Sequence, residues 1–98
     1  MATKTRLQTA AELLRQGRLA EAKTRILKEL QLTPQSAAAL ELLGAVAFEM
    51  GKHEEAIDYL RRAGRLAPSS PGPALNLGKA LLEAERPEEA AEVLKDAV

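Results

Sequence analysis

The sequence has 98 residues, in which 14 Lys and Arg balance 14 Asp and Glu, and it contains no cysteine. This length suits one domain with a modest core, and the lack of cysteine excludes disulfides, thiolate catalysis and zinc–thiolate sites. The zero net charge disfavours a nucleic-acid partner or an anionic membrane surface. Apolar runs fall short of the roughly 18 residues that a membrane span needs, and the N-terminus lacks a signal-peptide pattern. We therefore expect a cytoplasmic protein, with a periplasmic location also open.

Apolar residues recur every three or four positions in six segments, which predicts six helices and no strand. In chain order the predicted helices run from an N-cap at Thr3 or Thr5 to about Gln16, then over 19–32, 37–50, 53–66, 71–83 and 87–97. Glycine or proline follows each of the first four helices, and Ser70 and Pro71 suit the start of the fifth. The third helix carries only Glu41 and Glu49 as charged residues, so it must be covered on most sides.

An interval of 34 residues relates these segments to one another. The sets that keep this interval are Gly17 and Gly51; Pro34 and Pro68; Gly44 and Gly78; Ala22, Ala56 and Ala90; and Ile26, Leu60 and Leu94. We therefore predict one domain over residues 1–98, built from three helix-pair repeats at approximately 3–36, 37–70 and 71–98. The small residues would let paired helices approach closely, while the leucines fill the flanks of each joint.

The second repeat reads Leu40-x2-Leu43-Gly44-x2-Ala47, followed by Ala56-x3-Leu60 and Pro68. The chain thereby resembles the tetratricopeptide repeat (TPR) family, whose pattern is W-x2-L-G-x2-Y…A-x3-F…P. The third repeat keeps the Leu-Gly and Ala-x3-Leu elements, whereas the first is degenerate, with Arg6, Thr9 and Ala10 at the first three positions. The resemblance implies an all-α, right-handed α-solenoid of three antiparallel helix pairs. Leucine and alanine replace the aromatic residues, so we expect a thinner core.

Residues that could carry chemistry are few and isolated. His53 has no second histidine or cysteine to complete a metal site, and we interpret it as a surface residue at a helix start. The serines lie where helix caps and turns are expected. Glu88, Glu89 and Glu92 lie at the start of a helix, where carboxylates are ordinary. We expect no catalytic residue, no metal and no cofactor, and hence no enzymatic activity.

In the TPR family the first helix of each pair lines a concave groove, so the resemblance implies a partner-binding surface on the first, third and fifth helices. The repeat alignment places on it Leu7, Ala11, Leu14, Glu41, Ala45, Phe48, Leu75, Lys79 and Leu82. The middle of the groove would be apolar, with Glu41 and Lys79 as its charged guides, and it would suit an amphipathic helix or an extended peptide. The alternative is that Leu14, Phe48 and Leu82 belong to the core.

The predicted function is a non-enzymatic protein–protein interaction scaffold that binds a peptide or helical segment in this groove. By the resemblance, a clamp for the C-terminal carboxylate of a chaperone tail would need Lys, Asn and Arg at five groove positions. The residues there are Leu7, Ala11, Leu42, Gly72 and Asn76, so we do not expect that clamp. The alternative function is an N-terminal assembly, oligomerisation or regulatory domain of a larger protein, as in short TPR arrays that precede transferase domains.

Charge is distributed unevenly along the chain. Residues 1–36 hold seven Lys and Arg against three Asp and Glu, residues 37–70 hold four against five, and residues 71–98 hold three against six. One end is therefore basic and the other acidic. The sequence lacks the extra polar helix that commonly covers the last repeat of such arrays, so we expect Val93, Leu94 and Val98 to be exposed. This uncapped C-terminal repeat is a candidate surface for a homo-oligomer or for packing on the rest of a longer protein. Fraying of the terminal turn is the alternative.

Overall fold

The computed structural model of the chain describes residues 4–97, and these residues form six α-helices without any strand. The helices are α1 (Arg6–Arg15), α2 (Leu19–Leu32), α3 (Ala37–Glu49), α4 (His53–Leu66), α5 (Pro71–Glu83) and α6 (Pro87–Ala97). Helices α1 and α3 each end one residue before the predicted bound, because Gln16 and Met50 are their C-caps. Within the described part of the chain, each helix is too short or too polar to cross a membrane.

Side-chain hydrogen bonds fix the starts of two helices. The Thr5 hydroxyl accepts from the Gln8 N–H at 3.1 Å, and the Gln8 side chain accepts from the Thr5 N–H at 2.9 Å, which forms a capping box on α1. The other predicted cap, Thr3, lies outside the described residues. Ser36 caps α3 by accepting from the Ala39 N–H at 3.1 Å. Each cap satisfies an N–H group that the first turn of a helix leaves unpaired.

The two helices of each pair are joined by the same tight turn. Gly17, Gly51 and Glu85 follow the C-caps of α1, α3 and α5, and their φ angles are 76°, 76° and 59°. At each turn two successive N–H groups bond back to the last turn of the helix, as in the 2.8 Å bond from Arg86 N to the Leu81 carbonyl. The 34-residue period therefore extends to backbone conformation, and at Glu85 it imposes the left-handed region on a residue with a side chain.

The helices stack as three successive antiparallel pairs, as the sequence predicts. α1 packs on α2, α3 on α4 and α5 on α6, while α3 and α5 each contact both helices of the preceding pair. The core divides into a first cluster beneath α1, α2 and α3 and a second cluster beneath α3 to α6, and Tyr59 packs against both. The stack measures 44 × 27 × 23 Å. Its middle helix α3 is covered on most sides because it contributes to both clusters.

Two glycines let the helices of the second and third pairs approach closely. A Cβ atom on Gly44 would lie 2.6 Å from Leu60 Cγ, and one on Gly78 would lie 2.5 Å from Leu94 Cδ2. The prediction that Leu60 and Leu94 fill the flanks of these joints is wrong, because both side chains lie directly over the glycines. A large side chain on the second helix therefore fills the space that the first helix leaves empty.

Charged side chains link the third helix pair to the second. Arg86 donates from Nη1 to Glu54 at 3.0 Å and from Nε to Glu89 at 2.8 Å, while Arg61 donates to Glu89 at 2.9 Å. The Arg86 guanidinium, with Arg61, holds the pKa of Glu89 below its ordinary value. Because these groups are solvent-accessible, water and salt screen them, and packing remains the main force between the pairs.

Candidate functional site

The first helices of the three pairs, α1, α3 and α5, lie next to one another, since α3 contacts both α1 and α5. We call the surface formed by the nine predicted groove residues on these helices the first-helix face. On α1, Leu7, Ala11 and Leu14 are partly buried, and the two leucines pack against the first core cluster. The α1 portion of the face is therefore continuous with the core.

The α5 portion of the first-helix face is open to solvent. Leu75 is 44% exposed and Leu82 is 52% exposed, and Lys79 is exposed between them. The alternative that Leu82 is a core residue is therefore wrong. On α3, the three predicted members Glu41, Ala45 and Phe48 are all partly buried, as are those on α1, so the face is open to solvent on α5 only.

Glu41 lies at the junction of α3 and α5. Asn76 Nδ2 donates to Glu41 Oε1 at 3.3 Å, across two successive repeats. Gly72 faces the same carboxylate, and a Cβ atom at that position would collide with it. Burial raises the pKa of Glu41 from its ordinary value because the neighbouring helix removes water from the ionised form. The site therefore holds a partly desolvated acceptor beside a single amide donor.

Phe48 provides the aromatic centre of the face. The Lys79 Nζ lies 5.3 Å from the ring centroid, within range of a cation–π contact, and the His53 ring meets Phe48 edge-on at 5.6 Å. Phe48 also packs against the second core cluster. A cavity of about 50 Å³ separates α3 from α5 and is lined by Phe48, Ala45, Asn76 and Lys79 among others. The two interpretations of Phe48 as core and as surface are thus both partly correct.

Two residues near Phe48 and Glu41 differ from what the sequence suggests. His53 is the first residue of α4, as predicted, but it is partly buried against Phe48 and is not a plain surface residue. In the sequence, Asn76 is notable only because it occupies a position where a carboxylate clamp would need another residue. In the structure its side chain donates a hydrogen bond to Glu41. The available signal was that Asn76 is the only asparagine in the chain and lies on an otherwise apolar stretch of α5.

Comparison with known proteins assigns this stack of helix pairs to a family. Two family models described as tetratricopeptide repeat match residues 7–71 and 47–98, each more than half of the chain. The chain therefore belongs to the tetratricopeptide repeat family. Membership implies a protein–protein interaction module, and TPR domains in general are not enzymes. No curated protein sequence matches the chain significantly.

Solved structures share the fold. A MamA fragment from Desulfovibrio magneticus RS-1 has a TM-score of 0.88 at 22% identity, over 94% of this chain and 52% of that one. A mutant O-GlcNAc transferase from Thermobaculum terrenum has a TM-score of 0.91 at 30% identity, over 99% of this chain and 20% of that one. The chain thus spans about half of the first and a fifth of the second. TPR repeats stack into a right-handed α-solenoid, and the agreement with these structures shows that the helix pairs of this chain stack in the same way.

Proposed function

We propose that the first-helix face binds a peptide or helical segment of a partner protein, with α3 and α5 making the principal contacts. The observation that carries this proposal is the cluster at their junction, where Glu41 meets Asn76 and Lys79 lies over Phe48. An apolar surface with a few fixed polar groups is the usual composition of a recognition site.

The occupant that this surface suits has apolar side chains and a hydrogen-bond donor. Leu75 and Leu82 lie seven residues apart, or about two helical turns, so aliphatic side chains spaced roughly 10 Å along a partner segment would cover both. A basic side chain or a free N–H group would bond the partly desolvated Glu41 carboxylate. Because the helices that carry these residues are packed into the core, binding would need little backbone change.

A terminal carboxylate is not the ligand that we propose. The five clamp positions hold Leu7, Ala11, Leu42, Gly72 and Asn76, which provide no cation for a charge-assisted bond. Lys79 is the cation of the first-helix face on α5, and its ammonium group lies over the Phe48 ring. We therefore propose that the chain does not act as a clamp for a chaperone tail.

The test uses a random linear peptide library displayed on phage and selected against the immobilised protein. The variant Leu75→Ser/Leu82→Ser removes the exposed leucines of the face, and Leu27→Ser/Leu66→Ser removes leucines of similar exposure, 41% and 42%, from the second helices. We expect the selected peptides to bind the first variant about tenfold or more weakly and the second normally. Equal binding to both variants, or failure to select any peptide, would exclude this function.

A second candidate is an assembly or regulatory role within a longer protein. The chain matches a fifth of a transferase over 99% of its own length, and its charge changes from basic to acidic along the repeats. Copies could associate head to tail through opposite charges at the two ends. Sedimentation at low and high salt tests this: a dimer or larger species that dissociates in salt supports it, and a monomer throughout opposes it.

A further inference from the structure

A pocket of about 430 Å³ opens between the C-terminal half of α4 and the start of α5. Its apolar floor is formed by Leu60, Ala74 and Leu77, with Gly64 at one side. Ala74 and Leu77 lie on a different side of α5 from Leu75 and the rest of the first-helix face, because neighbouring helical residues are about 100° apart. The pocket therefore opens on a different side of α5 from the site proposed above, although Leu60 lies beneath both.

The 34-residue register shows which residues leave this pocket open at the joint between the second and third repeats. The counterparts of Gly64 and Ala74 in the preceding repeats are Leu30, which packs against the first core cluster, and Leu40, which is fully buried. At Gly64 an added Cβ would meet nothing within 4 Å. Two leucines of the first joint are thus replaced by the two smallest residues at the second, and the space stays open.

The rim of the pocket is cationic and polar. Arg61 and Arg65 line it, whereas their counterparts in the first repeat are the uncharged Leu27 and Gln31. Arg61 is held by Glu89 at 2.9 Å, and Arg65 is exposed to solvent. The rim therefore attracts an anion to the mouth of an apolar cavity.

A serine hydroxyl completes the rim. Ser36 caps α3 through the N–H of Ala39, but the counterpart of Ala39 in the next repeat is Pro73, which has no N–H. Accordingly Ser70, the counterpart of Ser36, makes no side-chain capping bond to α5. Ser70 lines the pocket, and a serine hydroxyl that makes no capping bond can donate to a bound group.

We propose that this pocket binds a small anionic amphiphile of the medium-chain fatty-acid class. The aliphatic chain would lie over Gly64 and Ala74, which are only partly buried, and the carboxylate would bond Arg65 and the Ser70 hydroxyl. The volume falls within the range of about 300–1,000 Å³ that is usual for small-ligand sites. Charge complementarity at the rim selects a carboxylate over a neutral or cationic head group.

The test is a heteronuclear NMR titration of the full chain with decanoate, and with decyltrimethylammonium as the matched cationic probe, both below micelle-forming concentrations. We expect saturable amide shifts around 60–77 with decanoate and much weaker ones with the ammonium compound. Arg65→Gln should weaken decanoate binding about tenfold, the loss expected for one charge-assisted hydrogen bond. Arg62→Gln, on the same helix but outside the pocket, should leave binding unchanged.

Filling the pocket provides the second arm of the test. Gly64→Leu/Ala74→Leu restores the residues of the first joint, so it should abolish decanoate binding and raise the melting temperature. If the double variant does not fold, Ala74→Leu alone serves the same purpose. Decanoate binding that survives filling, or shifts that scatter away from the pocket, would overturn the proposal. Equal binding of the two probes would also overturn it, and would instead indicate a socket for an apolar side chain of a partner.

Discussion

Gly44 is the position where a single added group has the clearest consequence. A side chain there would overlap Leu60, whose Cγ lies 2.6 Å from the place of the first added carbon. We predict that Gly44→Val lowers the free energy of unfolding by about 1–3 kcal/mol or more, because the core is overpacked. Urea denaturation measures this difference, and Gly64→Ala is the matched control.

The control should change stability in the opposite direction. Gly64 lies inside α4 with open space around its Cα, so alanine adds helix propensity without a clash. We expect Gly64→Ala to raise the free energy of unfolding by about 0.5–1 kcal/mol. If both glycine substitutions changed stability by the same amount and sign, the close approach between Gly44 and Leu60 would be wrong.

Glu41 gives a prediction that depends on pH. Burial raises its pKa in the folded protein above the ordinary value of 4.5, so the folded state binds the proton more readily than the unfolded state. The ionised carboxylate therefore lowers stability at pH values above the folded pKa, and this penalty disappears as the pH falls below 4.5. Glu41→Gln, which retains an acceptor for Asn76, should raise the melting temperature near neutral pH.

The same substitution should have little effect in acid, where Glu41 is already protonated. Thermal melts of both proteins across the pH range therefore should converge as the pH is lowered. A constant difference in melting temperature at every pH would show that Glu41→Gln acts by changing packing. The buried charge of Glu41 would then not be the cause of the difference.

At the scale of helices, the repeat predicts the elements well and their ends in part. Segments 19–32 and 53–66 are helices α2 and α4 with the predicted bounds, because apolar spacing and the following proline mark them clearly. The residue type of Ser70 also predicts an N-cap. It occupies that position without the capping bond, since the proline at position 73 removes the donor.

This difference between two equivalent serines is measurable. Ser36→Ala removes the bond to the Ala39 N–H and should lower the free energy of unfolding by about 1 kcal/mol. Ser70→Ala removes no capping bond and should change stability by much less. Equal losses in denaturant unfolding would contradict the role assigned to Pro73.

The turn between α5 and α6 carries local strain. Glu85 has a φ of 59° where the other two repeats place glycine at 76°. Glu85→Gly should raise the free energy of unfolding by up to about 1 kcal/mol, partly offset by the greater freedom of glycine in the unfolded chain. Gly51→Ala is the converse control and should destabilise. A loss of stability for Glu85→Gly would indicate that its side chain has a stabilising contact.

At the scale of the whole molecule, periodicity was enough to predict the architecture but not the differences between joints. Equal spacing of apolar residues specifies helix pairs, and their stacking follows from the need to cover α3 on most sides. The hydrogen bond between Glu41 and Asn76 depends on how two repeats are placed over a separation of 35 residues, which no local pattern encodes. The α4–α5 pocket exists because Gly64 and Ala74 have small side chains where the preceding repeats have leucine. A search for residues that recur every 34 positions does not detect it.

The central claim is that the first-helix face, and not the outer surface of the second helices, recognises a partner segment. The most direct measurement is to map the backbone amide shifts that a library-selected peptide induces in heteronuclear NMR spectra of the chain. We predict the largest shifts at residues 41–48 of α3 and 72–82 of α5, around Glu41, Phe48 and Lys79. Largest shifts on α2, α4 and α6 instead would contradict the claim.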